Sequence, residues 1–185
     1  MSLLNQYKIS SIFPASEALL MNDVYLIILH ATRIPPHLAL SIQGKLFSLS
    51  VKGPSVDGEL SQLLRLIRQR SIESIFIKLS VPQFFTIEEL KKEIKKYTLS
   101  YPCVDVGIAT CLNPIKDFCS SVYETETKNV NFVFDLLPQL YQLNIITSCY
   151  HLNLEKYLDH NSVYLRKYSM HDIHEGIRQV EHVNR

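Results

Sequence analysis

The segment "IATCLNPIKDFC" (108–119) contains two of the four cysteines and resembles the start of a helix. A thiol becomes a good nucleophile when its pKa is lowered, and the partial positive charge at a helix N-terminus has this effect. Thr110 could cap a helix that begins at Cys111, or Asn113 could cap one that begins at Pro114, a residue favoured at the first helical position. Both arrangements make Cys111 a candidate nucleophile. The alternative is a small hydrophobic side chain packed in the core.

His37 is the candidate base for this thiol. It follows a Pro-Pro pair and begins a predicted strand, so its ring would lie at a sheet edge, on the face opposite to Leu38. In the predicted hairpin, Ser48 and Ser50 lie on the same face as His37, and a hydroxyl there could orient the imidazole. His30 is a second candidate, although it follows an apolar strand and could simply cap it. His37 could equally be a surface histidine at a strand end.

The remaining cysteines and histidines give weaker evidence for a catalytic or metal site. Cys119 lies mid-helix among apolar residues and is expected in the core. Since the chain has no CxxC pair, its cysteines are expected to be free thiols in a reducing compartment. His171 and His174 share a predicted helix, and Cys149 and His151 are two residues apart, but no HExxH or paired CxxC accompanies them. We therefore expect no metal and no cofactor.

Hydrophobic periodicity predicts alternating strands and helices. "VYLIIL" (24–29) is typical of a buried strand, and "QGK" forms a hairpin turn in which Gly44 can adopt a positive φ. Thr86 and Glu89 have the spacing of a capping box. The predicted order is a strand at 22–31, a hairpin at 37–53, a helix at 59–70, a strand at 72–80, and helices at 86–97 and about 111–123.

The last third of the chain has a less regular pattern. Residues 129–143 allow a short strand and then a helix with Asp135 at its cap and Pro138 in its first turn. Ser169 and Asp172 resemble a second capping box. The terminal helix that follows would have one apolar stripe, made of Met170, Ile173, Ile177 and Val180.

Composition excludes several classes of protein. The 185 residues are 46% hydrophobic, which argues against disorder, and a net charge of +1 argues against nucleic-acid binding. No segment approaches the ~18 apolar residues needed to span a bilayer. The N-terminus lacks the charged start and long apolar run of a signal peptide. We therefore expect a cytoplasmic protein with no membrane span and no nucleic-acid partner.

The order of these elements resembles the circularly permuted papain-like thiol hydrolases, which include permuted relatives of cell-wall peptidases and lecithin-retinol acyltransferase-like proteins. Papain itself has its cysteine first, whereas the permuted members have the histidine first. The matching pieces are "HLALSIQGKLFSL" (37–49), "SVPQFFTIEELKKEIKKY" (80–97) and "YPCVDVGIATCLNPIKDFC" (101–119). With their flanks they cover roughly residues 22–123.

This resemblance implies a role for each matching residue. Cys111 would be the nucleophile, His37 the general base, and Tyr101 would match a tyrosine that often helps to bind the oxyanion. The family's third polar residue is usually His, Asn, Gln or an acid, whereas this chain offers only Ser48 or Ser50. A serine hydroxyl carries no charge to stabilise a protonated His37, so this departure from the family pattern weakens the prediction of efficient catalysis.

We therefore expect an α+β fold of the permuted papain-like type, with an antiparallel sheet packed against helices. It would be a single domain (1–185), with its core at 22–123 and an additional α-rich segment at 124–185. The first functional hypothesis is a cysteine hydrolase or acyltransferase that acts on an amide, ester or thioester of a small-molecule or peptide-like substrate. A non-catalytic binding or scaffolding domain is the alternative, and a metal-dependent enzyme is a second one. For the binding alternative, a partner surface could be lined by Tyr141, Tyr150, Tyr157, Tyr164 and Tyr168.

Overall fold

The computed structural model describes residues 5–183, and the side chains of residues 5–180. The strands are β1 (Gln6–Ile9), β2 (Ile12–Pro14), β3 (Val24–Leu29), β4 (His37–Ile42), β5 (Lys45–Ser50), β6 (Gly53–Glu59), β7 (Ser74–Leu79), β8 (Ile146–Leu152) and β9 (Val163–Arg166). The helices are α1 (Glu17–Leu20), α2 (Leu60–Gln69), α3 (Ile87–Leu99), α4 (Asn113–Tyr123), α5 (Val133–Gln142) and α6 (Met170–Val183). No helix among the described residues is long and apolar enough to cross a membrane.

Seven strands form one mixed sheet in the order β2-β8-β7-β3-β4-β5-β6, and β1 pairs with β9 in a separate antiparallel ribbon. Every neighbouring pair in the large sheet is antiparallel except β2 with β8. The α+β class with a mostly antiparallel sheet is therefore confirmed.

The central strand β3 is buried on both faces, which explains its uninterrupted apolar sequence. Its side chains alternate between two hydrophobic clusters, so Leu26 and Ile28 point to one face and Tyr25 and Ile27 to the other. We call these the first face and the second face. Apolar residues of α3, α4 and α5 cover the first face, and those of α1 and α2 cover the second. Helices thus lie on both sides of the sheet.

Three local signals between residues 37 and 123 gave the structure that they predict. The hairpin between β4 and β5 turns at Gln43 and Gly44, whose φ angles are 45° and 74°. The Thr86 hydroxyl accepts the Glu89 N–H, and the Glu89 carboxylate accepts the Thr86 N–H, so the predicted capping box is confirmed. The helix after the cysteine segment begins at Asn113, which leaves Cys111 just outside it.

The last third contributes strands as well as helices. β8 pairs with β7 in antiparallel and with β2 in parallel orientation, so it lies inside the sheet. Asp135 accepts the N–H groups of Asn131 and Phe132 at the start of α5, and Ser169 and Asp172 cap α6 as their spacing predicts. The segment from 124 onward therefore completes the sheet and supplies α5 and α6.

Candidate functional site

A cavity of about 550 Å³ opens where β3 and β5 end and β4 begins. This volume is in the range of small-molecule sites. Most of its lining is apolar and comes from three regions, which are the loop between β3 and β4, the segment before α4, and α6. Representative apolar lining residues are Ile34, Pro35, Leu38, Val104, Ile173 and Ile177.

The loop between β3 and β4 carries His30 and Arg33 to the cavity. The Arg33 N–H donates to the His30 carbonyl at 2.8 Å, and the Ala31 N–H donates to the Glu73 carbonyl at 2.9 Å. These bonds hold the loop in a turn in which His30 has a φ of 54°. The Nδ1 atom of His30 is buried and has no hydrogen-bond partner within the described chain. Burial lowers the pKa of His30, so its ring is neutral at pH 7.

Cys111 lies in a short turn that precedes α4. The Asn113 side-chain oxygen accepts the Thr110 N–H at 2.9 Å and the Thr110 hydroxyl at 3.0 Å, while the Leu112 N–H donates to the Thr110 hydroxyl at 3.3 Å. Asn113 therefore fixes the turn around Cys111, although it is not the helix cap that the sequence suggested. The thiol is half-buried and lines the cavity.

Two opposing influences act on the Cys111 sulfur. The N–H groups of Leu38 and of Cys111 itself donate to it and favour the thiolate, but burial disfavours the charge more strongly and raises the pKa of the thiol to about 11. Leu38 precedes the first residue pair between β4 and β5, which is Ala39 with Ser48. Its N–H is therefore not used by β5 and can donate to the Cys111 sulfur. At pH 7 the side chain is therefore a neutral thiol.

His37 also lines the cavity, and it is neutral at pH 7 as well. Burial is the main cause that lowers the pKa of His37 to about 4, and the nearby His30 is a smaller one. In β4, Leu38 and Leu40 belong to the first face and Ala39 to the second. Because strand side chains alternate, His37 leaves the strand on the side of the second face, as the sequence suggested.

Cys111 and His37 thus reach one cavity without forming a pair. Cys111 packs against the cluster of the first face, whereas His37 lies on the second face. Among residues 5–180 no hydrogen bond joins the thiol to the imidazole. The raised pKa of the thiol and the lowered pKa of the imidazole both oppose the transfer of a proton from the sulfur to the ring. A resting thiolate–imidazolium pair is not favoured by this arrangement.

The other residues considered from the sequence are less closely associated with the cavity. The Ser50 hydroxyl lines it, but donates to the Gly53 carbonyl at 3.3 Å and accepts the Lys52 N–H at 3.2 Å. Ser48 is paired with Ala39 inside the sheet and does not line the cavity. Tyr101 is also outside the lining, and its hydroxyl donates to Asp117 on α4. Burial, followed by that bond, raises the pKa of Tyr101 to about 12.

Tyr168, which the sequence suggests only for a partner surface, lines the cavity close to Cys111. Its ring packs edge-on against Phe132 and Phe134, with centroids 5.4 and 5.2 Å away. The Val133 N–H donates to its hydroxyl, while burial, with a smaller contribution from Cys111, raises the pKa of Tyr168. The only sequence signal was its position directly before the Ser169 cap.

Helix α6 forms one wall of the cavity. Its Ile173 and Ile177 are buried at 7% and 6% exposure, as expected from the apolar stripe. At Gly176, a Cβ atom would lie 2.8 Å from the Pro35 Cδ, so a glycine is needed for the helix to lie this close to the loop.

The other groups noted in the sequence remain separate from this cavity. Cys119 is fully buried on α4, as expected, and Cys149 shares a 3.5 Å hydrogen bond with the Tyr141 hydroxyl. No group of three or more His, Cys, Asp or Glu side chains in the described part of the chain could hold a metal ion. Of the five tyrosines proposed for a partner surface, Tyr141 and Tyr157 are exposed and the other three are half-buried.

Comparison of the chain with protein-family models, with curated proteins and with solved structures finds no match.

Proposed function

We propose that this protein is a binding domain that holds a small, mainly apolar ligand in the cavity at the start of β4. The observation that carries the proposal is the cavity itself, about 550 Å³ in volume, with a lining that is mostly apolar and includes a few polar groups. Sites for small molecules combine these two features, because apolar walls provide affinity and a few polar groups orient the ligand. The neutral states of Cys111 and His37 keep the inner surface free of charge.

Replacement of Ile34 by aspartate is expected to weaken the binding of a neutral apolar probe by about tenfold or more, because it places a carboxylate in an apolar wall. Ile34 lines the cavity and is 40% exposed, so the change should leave the fold intact. The measurement is a fluorescence titration with Nile red, followed by displacement with dodecanol.

Val81→Asp is the matched control, since Val81 is 42% exposed and does not line the cavity. This variant should bind the probe as the wild type does. Equal affinities for Ile34→Asp and wild type, or no probe uptake by the wild type, would contradict a ligand-binding cavity at this place.

A second candidate is the cysteine hydrolase or acyltransferase that the sequence resemblance implies. It is favoured by the presence of Cys111 and His37 in one cavity and by the two N–H groups that donate to the sulfur. In this proposal a ligand brings the two side chains together, Cys111 attacks the carbonyl carbon of an amide, ester or thioester, and His37 accepts the thiol proton. His37 then gives that proton to the leaving amine, alcohol or thiol as its bond to the acyl carbon breaks, and water or an acyl acceptor cleaves the thioester that remains on Cys111. It requires that the thiolate population of Cys111 depend on His37, which an alkylation rate measured against pH can test.

A further inference from the structure

The charge around the cavity narrows the class of ligand. Arg33 is the one arginine or lysine in the described lining of the cavity, and its side chain is exposed. The two histidines that line the same cavity are neutral, and no Asp or Glu side chain is part of the described lining. The described lining itself therefore carries a single positive side chain beside an apolar cavity.

Arg33 is available to a ligand. Its side chain is exposed, and within residues 5–180 it forms no ion pair and no side-chain hydrogen bond. Its main chain, by contrast, is fixed by the 2.8 Å bond to the His30 carbonyl. A guanidinium on a fixed turn can bind a carboxylate or a phosphate through two parallel N–H donors.

His30 provides a second polar group. His30 lines the cavity, and its Nδ1 atom is enclosed by the protein without a partner in the described chain, so an anion in the cavity would be bound through the other ring nitrogen. A neutral imidazole can donate one hydrogen bond to an anion. Glu73 is the carboxylate that acts on His30, but it is not part of the lining, so it leaves the mouth accessible to a negative group.

We propose that the cavity binds an amphipathic anion, whose carboxylate or phosphate group lies at Arg33 and His30 and whose hydrocarbon part lies between the loop from β3 to β4 and helix α6. This inference rests on the proposed ligand-binding function and specifies its ligand class. The apolar part of the ligand contacts Ile34 and Pro35 on one side and Ile173 and Ile177 on the other.

The test is a calorimetric titration of the full chain with four ligands that share one alkyl chain, each below its micelle concentration. They are dodecanoate, dodecyl phosphate, dodecanol and dodecyltrimethylammonium. At least one of the two anions is expected to bind about tenfold or more tightly than dodecanol, and the cation more weakly than dodecanol. The tighter of the two anions identifies the head group.

Arg33→Gln should reduce the affinity for the preferred anion to that of dodecanol and leave dodecanol binding unchanged. Arg65→Gln is the matched control, because Arg65 is exposed on α2 and does not line the cavity. Equal binding of dodecanol and both anions, or an anion preference that survives Arg33→Gln, would overturn the inference while leaving the apolar site in place. Failure of dodecanol itself to bind would overturn the proposed function as well.

Discussion

Replacement of Leu40 by aspartate is expected to prevent folding at neutral pH. Leu40 is fully buried in the cluster of the first face, opposite Leu26 on β3 and Phe47 on β5. A carboxylate at this position would have no charged partner in the core. Burial of such a group costs about 4 kcal/mol or more, a large part of the stability of a domain of this size.

The measurement is urea denaturation followed by circular dichroism. Leu66→Asp is the control, since Leu66 lies on α2 and is 42% exposed, and this variant should lose less than about 1 kcal/mol. A cooperatively folded Leu40→Asp protein of nearly wild-type stability would show that the register and facing of β4 are wrong.

Acidification is expected to destabilise the protein through its buried histidines. The folded state lowers the pKa of His30, His37 and His151, in each case mainly by burial, so protons bind more tightly to the unfolded chain. The stabilisation is fully present above the unfolded pKa of about 6.5 and is lost as the pH falls towards the folded pKa, which is about 4 for His37. Between pH 7 and about pH 4.5, His37 alone should remove roughly 2 to 3 kcal/mol.

Urea denaturation at both pH values measures this loss in the wild type and in His37→Asn. The variant should lose less stability on acidification, because the asparagine does not titrate. His160→Asn is the control, since the His160 side chain is 98% exposed. If wild type and His37→Asn lost equal stability over this range, His37 would not be the buried neutral group described above.

Elements with strong local signals were predictable from the sequence. β3 has an uninterrupted apolar run, α2 and α3 have clear apolar stripes, and α3 begins with a capping box. β6 was missed because it is an edge strand with sequence "GPSVDGE", in which no large apolar residue except a valine marks a buried face. β8 was missed because both of its partners, β7 and β2, are distant in the sequence.

The candidate site was predictable only in part. The order of elements suggested that Cys111 and His37 lie near each other, and both line the cavity. Local sequence does not show how deeply each group is buried, and burial is what places both in neutral forms. The contributions of Arg33, Tyr168 and α6 depend on contacts between distant segments, such as that of Gly176 with Pro35.

The rate at which Cys111 is alkylated, measured against pH, tests the central claim that this cavity holds a neutral, unpaired thiol. Iodoacetamide labelling with peptide mass spectrometry separates Cys111 from the other three cysteines. Since burial raises the pKa of the thiol to about 11, the rate should rise about tenfold per pH unit between about pH 6 and 9.5 without a plateau, and His37→Ala should give the same profile. A plateau with a midpoint below about pH 8 that moves upward in His37→Ala would contradict the claim and establish the Cys111–His37 pair of a thiol enzyme.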